Sequence, residues 1–293
     1  MKHKSLWVLV LLALVLVLPR VLFLDADAHP DLCWGTGIWT DEGFYNHNAR
    51  NAVLFGQARL DEFNNVNLSP ILDAIQRAVF SLFGVGLIQA RSISVFFGLL
   101  ALVFFYDGLR RKLGRRIALT ATVFLGLDPL YLFYNRLGMM ESPAVCIACI
   151  AFWAWCIGGR GMLFLSGLLA ASLVAWKTSF LLFAPLPVLV VLLPFRKPQP
   201  PPVVEEQERE STPSSPDAIL GSPITGGGVG IYKRLLPYFL GMGLALLLYF
   251  FLWFRPHQAE IVHMNRHYAM EQARPKSVVQ AGWMVRRAWS GYQ

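Results

Sequence analysis

The feature that most constrains this chain is its succession of long apolar runs: Leu6 to Leu24, Ile88–Leu109, Ile117–Leu127, Pro143–Ile157, Met162–Trp176, Ser179–Phe195 and Pro237–Phe254. A helix crossing a bilayer takes about 20 mostly apolar residues. Seven spans are therefore expected, the third and fourth short enough to tilt or to continue beyond the hydrocarbon. The composition agrees. Charged residues make up 15% of the 293, apolar residues 55%, and mean hydropathy is +0.48, whereas a soluble domain carries roughly 25% charged residues. A water-soluble globule, a collagen, a coiled coil, a disulfide miniprotein and a fully disordered chain are excluded. The expected fold class is an all-α polytopic membrane protein.

Lysine and arginine in the short loops set the orientation. The first run follows Lys2 and Lys4, is long for a signal peptide, and carries Pro19-Arg20 where a small-residue cleavage site would stand. An uncleaved helix with its N-terminus inside is expected. The inner side then receives Arg110-Arg111-Lys112, Arg115-Arg116, Arg160, Arg196-Lys197 and Lys233-Arg234. The outer side receives Arg50, Arg59, Arg77, Arg91, Arg136 and Lys177. One conflict remains: the tail with Arg255, Arg266, Arg274, Lys276, Arg286 and Arg287 falls outside, against the rule. Either a span is miscounted or that tail has an anionic partner.

The expected organisation is a transmembrane module over 1–197 and 231–254 with an outer loop at 25–87, a linker over 198–230, and a basic outer-face tail over 255–293. The linker is cytoplasmic in this topology, and its Pro, Glu and Gly content reads as disordered. In the outer loop, Thr40 is an N-cap for a helix over Asp41–Gln57, with two acids in its first turn. Ser69-Pro70 offers a cap and a first-turn proline for Ile71–Phe83, whose apolar stripe is Ile71, Ile75, Val79 and Leu82-Phe83. Both helices are expected to lie along the membrane surface. Asp128-Pro129 reads as another cap and first-turn proline. Cys146 and Cys149 mimic a CxxC motif, but in an apolar stretch without nearby His they read as membrane-helix residues. No GxGxxG or P-loop pattern is present.

The outer side carries polar residues that its helices do not require. The first group surrounds Asp41 and Glu42. Adjacent helical carboxylates are about 100° apart, so one reactive and one supporting acid are expected, with helix capping as the plainer alternative. The second group is Arg136 with Glu141 in a short turn, which also reads as a local ion pair. The third is Lys177, between two apolar runs, where interfacial snorkelling is the alternative.

Together these pieces resemble the GT-C glycosyltransferases that use polyprenyl-phosphate sugars, in the branch of the protein O-mannosyltransferases and the lipid A aminoarabinose transferase. The matching residues are Asp41-Glu42 with Tyr45, Asn67-Leu68-Ser69-Pro70, Ala90-Arg91-Ser92, Arg136 with Glu141-Ser142-Pro143, and Trp176-Lys177. The resemblance covers roughly 5–197. It implies inverting transfer of a sugar from a polyprenyl-phosphate donor to a lipid, protein or glycan acceptor at the outer face, without nucleotide or nucleic acid. It implies Asp41 as general base, Glu42 as a loop support or acceptor contact, and Glu141 as a second acid that shapes the site or, in some members, holds a divalent metal. Lys177, Arg136 and Arg255, in that order, are the expected cations for the donor phosphate. His263 and His267 are weaker metal candidates, four residues apart but without HExxH. Relatives carry several further spans, so the chain reads as a gene fragment, as one part of a split enzyme whose partner supplies them, or as a minimal catalytic module; a bacterial plasma membrane is the expected location. The rival readings are a transporter, which would favour ionisable residues at mid-membrane, and a non-catalytic membrane subunit.

Overall fold

The computed structural model describes residues 2–26, 40–60, 66–177, 180 and 229–263. Among the described residues every regular element is helical: α1 (Lys2–Val21), α2 (Thr40–Phe55), α3 (Pro70–Phe83), α4 (Leu87–Leu113), α5 (Arg115–Leu127), α6 (Pro129–Asn135), α7 (Glu141–Ile157), α8 (Arg160–Ser172) and α9 (Val229–Tyr249). A 3-10 turn, Leu173–Ala175, extends α8, and a π turn, Phe250–Phe254, extends α9. The all-α expectation is met. The expected span Ser179–Phe195 apart from Phe180, most of the linker, the tail beyond 263 and Cys33 lie outside the described residues.

Length separates the helices. At about 1.5 Å per residue, α4 exceeds the roughly 30 Å of a bilayer's hydrocarbon. It and Leu235–Phe254 are long and apolar enough to cross alone. The pair α5 and α6 forms a third span if counted as one, bent by 65°. That bend has a local cause. Asp128 ends α5, its side chain accepts the Tyr131 N–H at 2.7 Å, and Pro129 starts α6, as the Asp-Pro pair led one to expect. Leu11–Val21, Glu141–Ile157 and Arg160–Ala175 are shorter apolar helices.

Small residues let the helices approach, as in other membrane interfaces. Helix α7 buries Ala144, Cys146, Ala151 and Ala154, and the free thiols of Cys146 and Cys149 pack with Ala101 and Leu102 of α4. The crossing of α8 with α9 is closest. A Cβ on Gly167 would fall 1.9 Å from the Tyr238 carbonyl oxygen, and one on Gly241 would fall 2.0 Å from that of Phe164. No larger residue fits at either position without separating the pair.

Two expectations need correction. Helix α9 starts at Val229, inside the stretch assigned to the linker. Ser69 occupies the N-cap of α3, but its hydroxyl makes no capping bond and is buried without a hydrogen-bond partner among the described residues. The buried face of α3 is Leu72, Asp73, Gln76 and Phe80, with Gln76 donating to Asn46 of α2 at 2.8 Å, while Leu82 and Phe83 of the apolar stripe are exposed.

Candidate active site

Helices α2, α3 and α7 and the end of α8 converge on one apolar floor of Leu72, Met140, Ala144, Leu173 and Trp176, against which Tyr45 and Phe180 pack. Above it sit the ionisable groups. Lys177 Nζ lies 3.3 Å from Glu141 Oε1, the pair half-open to solvent at 40% and 20% exposure. Glu141 Oε2 is buried with no hydrogen-bond partner among the described residues. Lys177 also reaches the Tyr45 hydroxyl, and Asp41, one helical turn before Tyr45, adds its charge to the same group. Burial, aided by Glu141 and Asp41, pushes the Tyr45 hydroxyl up despite Lys177, so it remains a phenol. Burial alone would lower Lys177, but Tyr45, Glu141 and Asp41 outweigh it and the ammonium is held above its ordinary 10.5. Three chain-distant sequence candidates, Asp41, Glu141 and Lys177, are thus brought together. Asp41 is exposed and open to a ligand.

Glu42 points the other way. It is 1% exposed, and its two oxygens accept from Arg91 Nε and Nη2 at 2.8 Å each, while the Gly138 N–H donates to Oε1 at 2.6 Å. Arg91 Nη1 donates to the carbonyls of Leu24 and Ala26. Of the two roles expected for Glu42, the geometry supports holding the loop and contradicts acceptor contact, because both oxygens are sealed. Asn46 strengthens the same seam, donating to the carbonyls of Glu42 and Gly138 at 2.7 Å and accepting from Gln76 at 2.8 Å. Gly138 leaves no room for more. A Cβ there would meet Asn46 Nδ2 at 3.0 Å and Glu42 Oε1 at 3.1 Å.

The alternative reading of Arg136 as a local pair with Glu141 is not met. Its guanidinium donates to the carbonyls of Pro19, Leu22 and Phe23 at the end of α1. It fastens that negative helix end, and among the described residues Glu141 lies against Lys177 instead. A second buried chain runs beside it: Arg20 donates to Asn135 at 2.8 Å, and Asn135 donates to Ser142 at 3.0 Å, next to Glu141. Arg255 is exposed at the end of the π turn.

Sequence reasoning missed the contact of this last segment with the first outer loop. Trp253 Nε1 donates to the Asn67 carbonyl at 2.9 Å, Asn67 donates to Glu260, and Arg59 pairs with Glu260 at 2.9 Å. No local pattern announces such a pairing. Arg91 did carry a signal, because a charge at the start of an apolar run demands a partner.

An apolar groove of about 710 Å³ opens beside the cluster, between Ile71 and Ile75 of α3, Ser172 and Ala175 at the end of α8, and Leu248 and Leu252 beyond. Ile71 and Ile75 also pack on the floor under Tyr45, so groove and charged cluster share a wall. Among the described residues no three His, Cys, Asp or Glu gather, Glu141 faces an ammonium, His263 is exposed, and His267 lies outside the described residues.

An ionic cluster thus stands at the end of apolar helices, beside an apolar groove. Residues 67–197 match the dolichyl-phosphate-mannose-protein mannosyltransferase family, in line with the resemblance read from the sequence. The matched stretch holds Arg91, Gly138, Glu141 and Lys177; Asp41, Glu42 and Tyr45 precede it. No curated protein and no solved structure matches the chain. The family points to an integral membrane glycosyltransferase with mannosyltransferase-like use of a polyprenyl-phosphate sugar.

Proposed function

We propose that the protein transfers a sugar from a polyprenyl phosphate to an acceptor hydroxyl at the outer face of a bacterial plasma membrane, with inversion. The observation that carries this reading is the joining of Lys177, Glu141, Tyr45 and Asp41 beside an apolar floor on which the groove residues Ile71 and Ile75 also pack. The carrier's isoprenoid chain lies along Ile71, Ile75 and Leu252, which puts its phosphate beside Lys177. The acceptor oxygen attacks the anomeric carbon, and its proton passes to Asp41, the exposed carboxylate of the group. The bond from the anomeric carbon to the phosphate oxygen breaks, and the electron pair leaves with the polyprenyl phosphate. Lys177 stabilises that developing charge, and Tyr45 as a phenol has a hydrogen to offer it. Glu141 holds Lys177 in place, and Arg255 supplies a second cation from the far wall. Glu42 and Arg91 act at one remove, fixing α2 so that Asp41 faces the acceptor.

The test is transfer from a panel of radiolabelled polyprenyl-phosphate sugars by the purified full chain in liposomes. One sugar is expected to be discharged by the wild type and retained by Asp41→Asn. Equal turnover by that variant removes Asp41 as the base, and no discharge of any donor removes the reading.

A further inference from the structure

Arg50 differs from its neighbours in charge pairing. Among the described residues, the outer-side cations Arg59, Arg77, Arg91 and Lys177 each lie against a carboxylate, and Arg136 binds carbonyls. The Arg50 guanidinium bonds to Asn51 Oδ1 at 3.0 Å and to the His47 ring at 3.4 Å, neither of which supplies negative charge. Arg50 is also exposed. It follows Asp41 by nine residues, which at about 100° each puts it on the opposite side of α2 from the proposed reaction site.

Arg50 and His47 border a cavity of about 210 Å³ with an apolar wall of Phe80, Val85, Leu87 and Ala90; Glu42 also lines it, its carboxylate already paired with Arg91. Leu87 is the first residue of the membrane-crossing α4, so the cavity sits where that helix leaves the hydrocarbon. Leu82, Phe83 and Ile88 are exposed around it, as a surface in contact with lipid would be. A purely polar ligand would leave the apolar wall unused, and a purely apolar one would leave Arg50 without a counter-charge. The volume lies below the roughly 300–1,000 Å³ of pockets that enclose a drug-sized ligand, which excludes a sugar with its carrier and suits one headgroup.

We propose that this cavity holds the phosphate of an anionic phospholipid of the outer leaflet. The planar guanidinium of Arg50 grips two phosphate oxygens, and the acyl chains run down over Phe83 and Ile88. The lipid braces α2 from behind, on the side away from the donor.

Native mass spectrometry of the full chain, released from phosphatidylcholine nanodiscs doped with phosphatidylglycerol, reads this directly. The wild type is expected to keep one phosphatidylglycerol. Arg50→Gln is expected to weaken its retention about tenfold, as loss of a charge-assisted contact does, and Arg50→Lys to restore part of it. Arg59→Gln should leave retention unchanged. Val85→Trp, which fills the cavity without touching Arg50, should also release the lipid. Wild-type retention in Arg50→Gln or Val85→Trp overturns the proposal. So does equal retention of phosphatidylcholine, or displacement of the phosphatidylglycerol by polyprenyl phosphate.

Discussion

Lys177 and Glu141 stand 36 residues apart in the chain and 3.3 Å apart in the fold. Their meeting joins the start of α7 to the end of α8 beneath Tyr45, and it turns three dispersed polar signals into one site. The pair is partly open to solvent, so its value to stability is small. Its consequence is positional: the ammonium is held against the Glu141 carboxylate, beside the floor on which the groove residues Ile71 and Ile75 also pack.

Asp41→Asn is expected to abolish transfer and to leave the fold untouched. Asp41 is exposed, and surface replacements away from packed features change stability by about 0.5 kcal/mol or less. Turnover measured beside a thermal unfolding curve checks both halves, and loss of both together would make Asp41 a structural residue.

Arg91→Ala is expected to destabilise the protein by about 3–5 kcal/mol, because it strands the buried Glu42 carboxylate. Breaking the exposed pair of Arg59 and Glu260 should cost about 1 kcal/mol or less. Thermal unfolding of the two variants in the same detergent compares them, and similar shifts would mean that the Glu42 seam is not a fastening.

The pH dependence of donor binding follows from the sign of the Lys177 shift. A cation held above its ordinary 10.5 in the fold contributes fully below that value, and the contribution is lost as pH rises through the folded value. Donor affinity is therefore expected to show no Lys177 step through neutral and mildly alkaline pH. A titration step removed by Lys177→Ala and centred below 10.5 would contradict the arrangement.

Gly138→Ala places a methyl group 3.0 Å from Asn46 Nδ2 and 3.1 Å from Glu42 Oε1. Overpacking of this kind costs about 1–3 kcal/mol. Stability and transfer are expected to fall together, and wild-type values for both would show that the second outer loop yields freely.

Much of this was legible in the chain itself. Apolar runs set out the helices, Asp128-Pro129 marked the bend, and Asp41, Glu141 and Lys177 stood out as polar residues on one expected face. What stayed hidden depends on contacts between distant segments. Asp41 and Glu42 are adjacent and both acidic, and only the position of Arg91, 49 residues on, tells the open acid from the sealed one. Arg136 precedes Glu141 by five residues, yet the unsatisfied carbonyls at the end of α1 take it. Gln76 of α3 is buried because it reaches Asn46 of α2, 30 residues away in the chain, a partner that no local pattern names. The clasp of Asn67 with Glu260 spans 193 residues and leaves no local mark.

The most direct test of the account is equilibrium binding of sugar-free polyprenyl phosphate to the purified wild type, Lys177→Ala and Asp41→Asn. The predicted result is tight binding by the wild type, a loss of about 10–100-fold in Lys177→Ala, and near-normal binding by Asp41→Asn. Unchanged affinity in Lys177→Ala would contradict the claim that this ammonium and the groove beside it form one lipid-phosphate site.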